Sequence, residues 1–364
     1  MSQQSDMDAA VRAKFQVRDS FVLPEGEAEY KVTYDETSKE RFVGLVAELS
    51  TLGFTPALVG SREDPAIIVR KKQPPKQPAS LVPTILLFFT LLSVVFLCLL
   101  EAESYAQYAP GVPALEVVVT FGGAILAILA AHEYGHRRAA ESSKTAPPTS
   151  YFIPGVPVLT YFLPNIGVVS AQREPAVNRD KLFDTYAYGP IAALIVTVVL
   201  YLVGEFAWVQ SSIPLSATTS AQVNESAIQL LIDSIVGPFV KGITPGYFRL
   251  SPLADAAFVG FLLTFLNLLP ITQFDGGYAL VSAYGDRAIR VSTYLSVAAL
   301  ILIDTYNYWI IAIVILLIAP RKTNPLCLDE ISDASPSKRA VFFVLLALAF
   351  LCLPVPKNIA TFPL

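Results

Sequence analysis

Charge is scarce in this chain: of its 364 residues, 15% are Asp, Glu, Lys or Arg and 54% are hydrophobic, with a mean hydropathy of +0.54. That balance excludes an ordinary soluble globular protein. Cysteine is scarce too. Cys98, Cys327 and Cys352 are odd in number and widely spaced. They rule out a disulfide framework or a cysteine metal cluster and read as small hydrophobic residues. A net charge of -4 with scattered basic residues gives no nucleic-acid surface. The opening residues MSQQSDMDAAVRAKF lack an apolar h-region and an Arg-rich, acid-poor composition, so no cleaved targeting segment is expected there. Histidine is nearly absent, with two in the whole chain.

What is abundant is long apolar sequence. Hydrophobic runs occupy roughly 81–100, 113–136, 185–203, 252–271, 288–303, 308–320 and 339–355, most of them near the length that spans about 30 Å of hydrocarbon as helix. The fold class expected is an all-α polytopic membrane protein of about seven transmembrane helices. A short β segment should lie between the second and third, with a small N-terminal α+β soluble domain ahead of the first. The fifth and sixth runs, joined by residues 304–307, are expected to form a tight hairpin.

Basic residues set the orientation, because Lys- and Arg-rich loops stay in the cytoplasm. Eleven Lys and Arg precede the first run, and the following loop EAESYAQYAPGV has none. The loop 137–184 holds six, and the stretch 204–251 only Lys241 and Arg249. The expectation is a multi-pass protein of the cell membrane with its N-terminus in the cytoplasm.

Residues 1–72 read differently from the rest. AEYKVTY, TPALVG and AIIVRK have the composition of strands, and Phe42, Leu45, Val46 and Leu49 recur at helical spacing. The division expected is a cytoplasmic α+β domain at 1–72, a proline-rich linker at 73–80, a membrane domain at 81–355 and a tail at 356–364.

Both histidines fall in one string, His132-Glu133-Tyr134-Gly135-His136, at the end of the second apolar run. Imidazoles at i and i+4 lie on one helix face and can reach one ion, and the Glu beside the first can take a proton from a water held there. A catalytic zinc needs a third protein ligand, and no histidine remains. A carboxylate near a cytoplasmic helix end is the candidate, and Asp275 qualifies, since an acid at membrane depth is costly unless paired or bound to metal. Pro270 breaks the preceding helix, Gly276 and Gly277 permit a sharp turn beyond the acid, and Asn267 carries an amide that could donate to a carbonyl or an oxyanion. Arg137 and Arg138 read as snorkelling anchors, and Tyr186 and Tyr188 as packing or aromatic-belt residues.

HExxH together with N-x-x-P-x-x-x-x-D-G on a separate apolar run resembles the site-2 protease family of intramembrane zinc metalloproteases. The segment from PPTSYFIPGVPVL through NIGVVS to NRDKLFDTYAYGP, with Gly189-Pro190 opening a helix, is similar to that family too, as is PLCLDEISDASPSKRAVFFVLLAL. Tyr278 stands where many relatives carry His. The resemblance implies one Zn2+ on His132, His136 and Asp275, Glu133 as general base, and Asn267 as a substrate or oxyanion contact. It also implies regulated intramembrane proteolysis of a single-pass transmembrane substrate within the lipid bilayer, and together with a composition rich in β-branched residues, Tyr and Phe it makes residues 150–172 the expected source of an edge strand for the unwound substrate. The alternatives from other classes are a catalytically inactive metal-binding membrane chaperone or binder, and a divalent-metal transporter.

Overall fold

The computed structural model describes residues 3–354 except 25–26, 78–80, 157–162, 207–208, 210, 215–224, 240–246, 304–307 and 319–326. The turn expected at 304–307 and the tail beyond residue 354 lie outside the described residues.

The chain opens with α1 (Gln3–Lys14), β1 (Val17–Val22), β2 (Ala28–Val32), α2 (Ser38–Thr51), β3 (Phe54–Gly60) and β4 (Pro65–Lys71). The strands form an antiparallel sheet in the order β1-β2-β4-β3. β2 alternates buried and half-buried residues, as a strand with one covered face must. Phe42, Leu45 and Leu49 of α2 join Met7 and Val11 of α1 over that face in a hydrophobic cluster of their own. Helix α1 was not expected. Its interior apolar residues are few, and Met7 and Val11 are buried by their neighbours rather than by a strong pattern.

Next come α3 (Val82–Tyr108), α4 (Ala114–Ser142), β5 (Thr149–Pro154), β6 (Asn165–Ala171) and α5 (Arg179–Phe206). Pro83 sits in the first turn of α3, where its missing N–H has no partner to lose. β5 and β6 pair as an antiparallel two-stranded sheet, the β segment expected between the second and third apolar runs. Gly189 and Pro190, expected to open a helix, instead lie inside α5, which begins ten residues earlier at Arg179. The remaining elements are β7 (Ser211–Pro214), α6 (Ala227–Val236), β8 (Tyr247–Leu250), α7 (Pro252–Leu268), α8 (Asp275–Tyr284), α9 (Asp286–Ile303), α10 (Tyr308–Ile318) and α11 (Pro336–Leu351).

All seven apolar runs carry helix. By length and composition three of the described helices can cross a membrane: α3, α4 and α5. α7 is shorter, yet nearly every one of its residues is buried. It forms the centre of the helical body, packed on α4, α5 and α11. The large side chains left exposed are apolar and sit on the peripheral helices, for example Phe88 and Leu92 of α3, Val199 of α5, and Phe343 of α11. A body with an apolar inside and an apolar outside is one whose solvent is lipid.

The N-terminal unit is stitched to this body by residues 327–335. The Leu58 N–H on edge strand β3 donates to the Leu328 carbonyl at 2.7 Å, and the Glu330 N–H donates back to the Leu58 carbonyl at 3.0 Å. On its other side the same segment donates from Leu328 and Asp329 to the carbonyls of Ala176 and Val177. Leu328 itself enters the N-terminal cluster. Lys39 of α2 reaches Asp180 in the first turn of α5 at 2.7 Å, and Arg62 meets Asp333 at 2.9 Å. A sheet edge is thereby covered from within the chain.

Replacing Leu328 with Ala should cost about 2–5 kcal/mol, the usual range for a truncated buried leucine. Hydrogen exchange checks this: the Leu58 and Glu330 amides should lose protection, while those of α7 keep theirs.

Candidate metal centre

The site is assembled from three elements. α4 places His132 and His136 one turn apart, with their Nε2 atoms 3.0 Å from each other and their rings nearly perpendicular at 74°. Asp275, the first residue of α8, points its carboxylate between them. Oδ2 lies 3.1 Å from His132 Nε2 and Oδ1 3.4 Å from His136 Nε2. Relative exposure is 3% for His132 and zero for His136 and Asp275.

Backbone detail explains how the carboxylate arrives there. α7 stops at Leu268, Pro270 cannot continue it, and Gln273 turns the chain with a φ of 71°. Gly276 and Gly277 do not make that turn. They lie inside α8, where an added Cβ would run into the carbonyls of Leu268 and Ile271, so their role is close packing. Two more glycines bring α5 against α4. A Cβ on Gly135 would strike the Tyr188 carbonyl, and one on Gly189 would strike the His136 ring.

The third element, α5, orients His136. The Nδ1 atom of His136 donates to the Thr185 carbonyl at 2.7 Å. That fixes the orientation of the ring, and in its neutral form the Nε2 lone pair is turned toward His132 and Asp275. Neither oxygen of Asp275 has a hydrogen-bond donor. Two imidazole nitrogens and a carboxylate thus face one another in a buried space, a donor set suited to a cation. Among the described residues these three offer ligand atoms all within 4.8 Å of one another. Atoms about 2.0–2.1 Å from one tetrahedral centre are about 3.4 Å apart; the two ring nitrogens, 3.0 Å apart, and the nearest nitrogen-to-oxygen contact, 3.1 Å from His132 to Oδ2, lie close to that separation. Two imidazoles and one carboxylate favour zinc over magnesium or calcium.

Glu133 lies beside this group. Its Oε2 accepts from Ser150 Oγ at 2.6 Å, and its Oε1 meets Arg137 Nε at 3.0 Å. Arg137 is therefore the ion-pair partner of Glu133, where a snorkelling anchor was expected. Asn267 is buried, and its Oδ1 accepts the N–H of Val168 at 3.0 Å, joining α7 to β6. Tyr186, expected in packing or an aromatic belt, is buried against the site. Its ring stacks on Tyr278 with centroids 3.9 Å apart and meets His136 edge-on at 5.9 Å, and its hydroxyl donates to the Ser170 carbonyl at 3.3 Å. Sequence reasoning missed Ser150 and Thr185. A lone serine on a short strand carries no signal, and a backbone carbonyl carries none at all. The i, i+4 spacing of Glu133 and Arg137 was a usable signal. No cysteine belongs to the group, and burial pushes the Cys327 thiol up to about 12, far from thiolate chemistry.

The family model described as peptidase family M50 matches residues 120–303, half of the chain, including both histidines and Asp275. The chain belongs to this family, the site-2 proteases. Among curated proteins, the M50 chain is 27% identical to the Arabidopsis thaliana protein described as probable zinc metalloprotease EGY1, chloroplastic, over 68% of this chain and 45% of that one. The corresponding protein of Oryza sativa subsp. japonica is also 27% identical, over 66% of this chain and 41% of its own length. Probable zinc metalloprotease EGY2, chloroplastic, of Arabidopsis thaliana is 25% identical, over 63% and 40%. The chain spans less than half the length of these relatives. No solved structure matches it.

Substituting Gly189 with Ala puts a methyl group where the His136 ring stands. Overpacking of this kind costs about 1–3 kcal/mol. Thermal unfolding should show that loss, and titration with zinc should show weaker uptake than in the unaltered protein.

Proposed function

We propose that this M50 chain is an intramembrane metalloprotease that hydrolyses peptide bonds in locally unwound transmembrane segments, with one zinc held by His132, His136 and Asp275. The observation that carries the reading is the buried two-nitrogen, one-carboxylate group with a glutamate beside its first histidine. Zinc bound there would polarise the scissile carbonyl and make a water molecule acidic near neutral pH. Glu133 takes the proton from the attacking water and later delivers it to the leaving amine. The Thr185 carbonyl keeps the His136 ring oriented throughout.

The substrate is a single-pass membrane protein, cut as regulated intramembrane proteolysis. Its segment has to unwind first, because helical carbonyls are engaged in their own hydrogen bonds. β6 supports pairing with such an extended segment. Asn267 already holds the Val168 N–H, so a pairing substrate would take over that donor, leaving the Asn267 amide free to meet the substrate.

The N-terminus and the catalytic group share the cytoplasmic side of the cell membrane in this reading. Two features support it: the basic bias of the loops, and Lys39 of the N-terminal unit against Asp180, at the same end of α5 as Thr185.

The test is cleavage of a transmembrane substrate in liposomes by the unaltered protein and by Glu133→Gln, with metal measured in both. Glu133→Gln should retain zinc and lose cleavage by about 100- to 10,000-fold. Asp275→Asn should lose zinc. Absence of metal from the unaltered protein would overturn the proposal, and metal without cleavage in either protein would favour an inactive binder.

A further inference from the structure

Glu133 stands on a helix surface with three rotatable bonds, and a general base works only when its oxygen is held within hydrogen-bond reach of the proton it removes. Fixing such a side chain costs rotamer entropy of up to about 2 kcal/mol, so something must hold it. Among the described residues, Arg137 and Ser150 hydrogen-bond to it. Arg137 is its i+4 neighbour on the same helix, and the arginine side chain is 61% exposed. Exposed pairs of that kind are weak and screened. Ser150 differs on both counts. Its 2.6 Å bond to Oε2 is partly buried, and it comes from β5, an element separate from α4. A short hydroxyl-to-carboxylate bond is among the stronger neutral-to-charged contacts.

The placement of Ser150 in the β5–β6 hairpin gives this bond its leverage. Ser150 lies opposite Ser170 in the register. The Ser170 carbonyl accepts from the Tyr186 hydroxyl, and the Tyr186 ring abuts His136. Two residues further back, the Val168 N–H is held by Asn267 on α7. One cross-strand pair therefore braces Glu133 on one side and the ring packed on His136 on the other, while Asn267 fixes the hairpin to the central helix.

We propose that Ser150 is the positioning residue for Glu133: its hydroxyl sets the orientation of the carboxylate, and the β5–β6 hairpin is the frame that holds that hydroxyl in place. This rests on Glu133 being the general base of the proposed protease. Arg137 contributes charge to the same carboxylate but does not set its direction.

Three variants separate positioning from packing. Ser150→Ala and Ser150→Val remove the hydroxyl, Val with Thr-like bulk, and Ser150→Thr keeps it. With a transmembrane substrate in liposomes, Ala and Val should lower kcat by about tenfold or more with KM and bound metal unchanged, and Thr should stay within about threefold. In metal-free protein, carbodiimide-driven amine labelling of Glu133, read by peptide mass spectrometry, should be several-fold faster in Ala and Val than in the unaltered protein or Thr. Unchanged or raised kcat in Ala and Val with unchanged labelling would overturn the proposal, as would a Thr variant as impaired as Val. An unaltered protein that neither binds metal nor cleaves would instead defeat the protease reading, and the labelling comparison would still decide whether Ser150 holds Glu133.

Discussion

The structure depends on the convergence of two imidazole nitrogens and a carboxylate in a buried space. The Thr185 carbonyl takes the Nδ1 proton of His136 and so turns the Nε2 edge of the ring toward Asp275, whose two oxygens have no hydrogen-bond donor. In a low-dielectric interior such groups repel one another strongly unless positive charge lies among them. The packing around them resists that repulsion. Gly135 and Gly189 let α4 and α5 touch backbone to ring, and Gly276 and Gly277 let α8 close onto the loop that follows α7. A side chain at any of these four places would push a proposed ligand away.

The rest of the body serves this convergence. α7 is buried along almost its whole length and delivers both Asn267 and, beyond its end, Asp275. The β5–β6 hairpin is tied to α4 through Ser150, to α5 through Tyr186 and to α7 through Asn267. The N-terminal unit reaches the same region through residues 327–335, which hydrogen-bond β3 on one side and residues 176–177 on the other. Its Lys39 grips the first turn of the helix that carries Thr185. The N-terminal unit and the helical body thus meet at the end of α5 that orients His136.

Much of this was legible in the sequence, and the unread part has physical reasons. The i, i+4 histidines, the acid beside them and the acid beyond a proline break all announce themselves by residue type and spacing, and the structure brings His132, His136 and Asp275 together. The strands at 28–32, 54–60 and 65–71 follow from alternation and β-branched composition. Gly276 and Gly277 read as a turn, because a sequence does not distinguish glycine used for φ freedom from glycine used for close approach. The bond between Asn267 and Val168 spans 99 positions, and the strap on β3 spans far more. Such pairings exist only after folding. The length of α5 was underestimated because its first turns carry Arg179, Asp180, Lys181 and Asp184, charges that look like loop until Lys39 is seen to pair with Asp180 and Lys338 with Asp184.

The most direct measurement on the central claim is zinc K-edge X-ray absorption on the purified protein, compared with Asp275→Asn. The account predicts one zinc per chain, with imidazole scattering from two nitrogens at about 2.0–2.1 Å, oxygen completing the shell, and no sulfur at about 2.3 Å. It predicts that Asp275→Asn loses the metal or its third protein ligand. A sulfur-containing shell, or an identical spectrum and stoichiometry in Asp275→Asn, would contradict it.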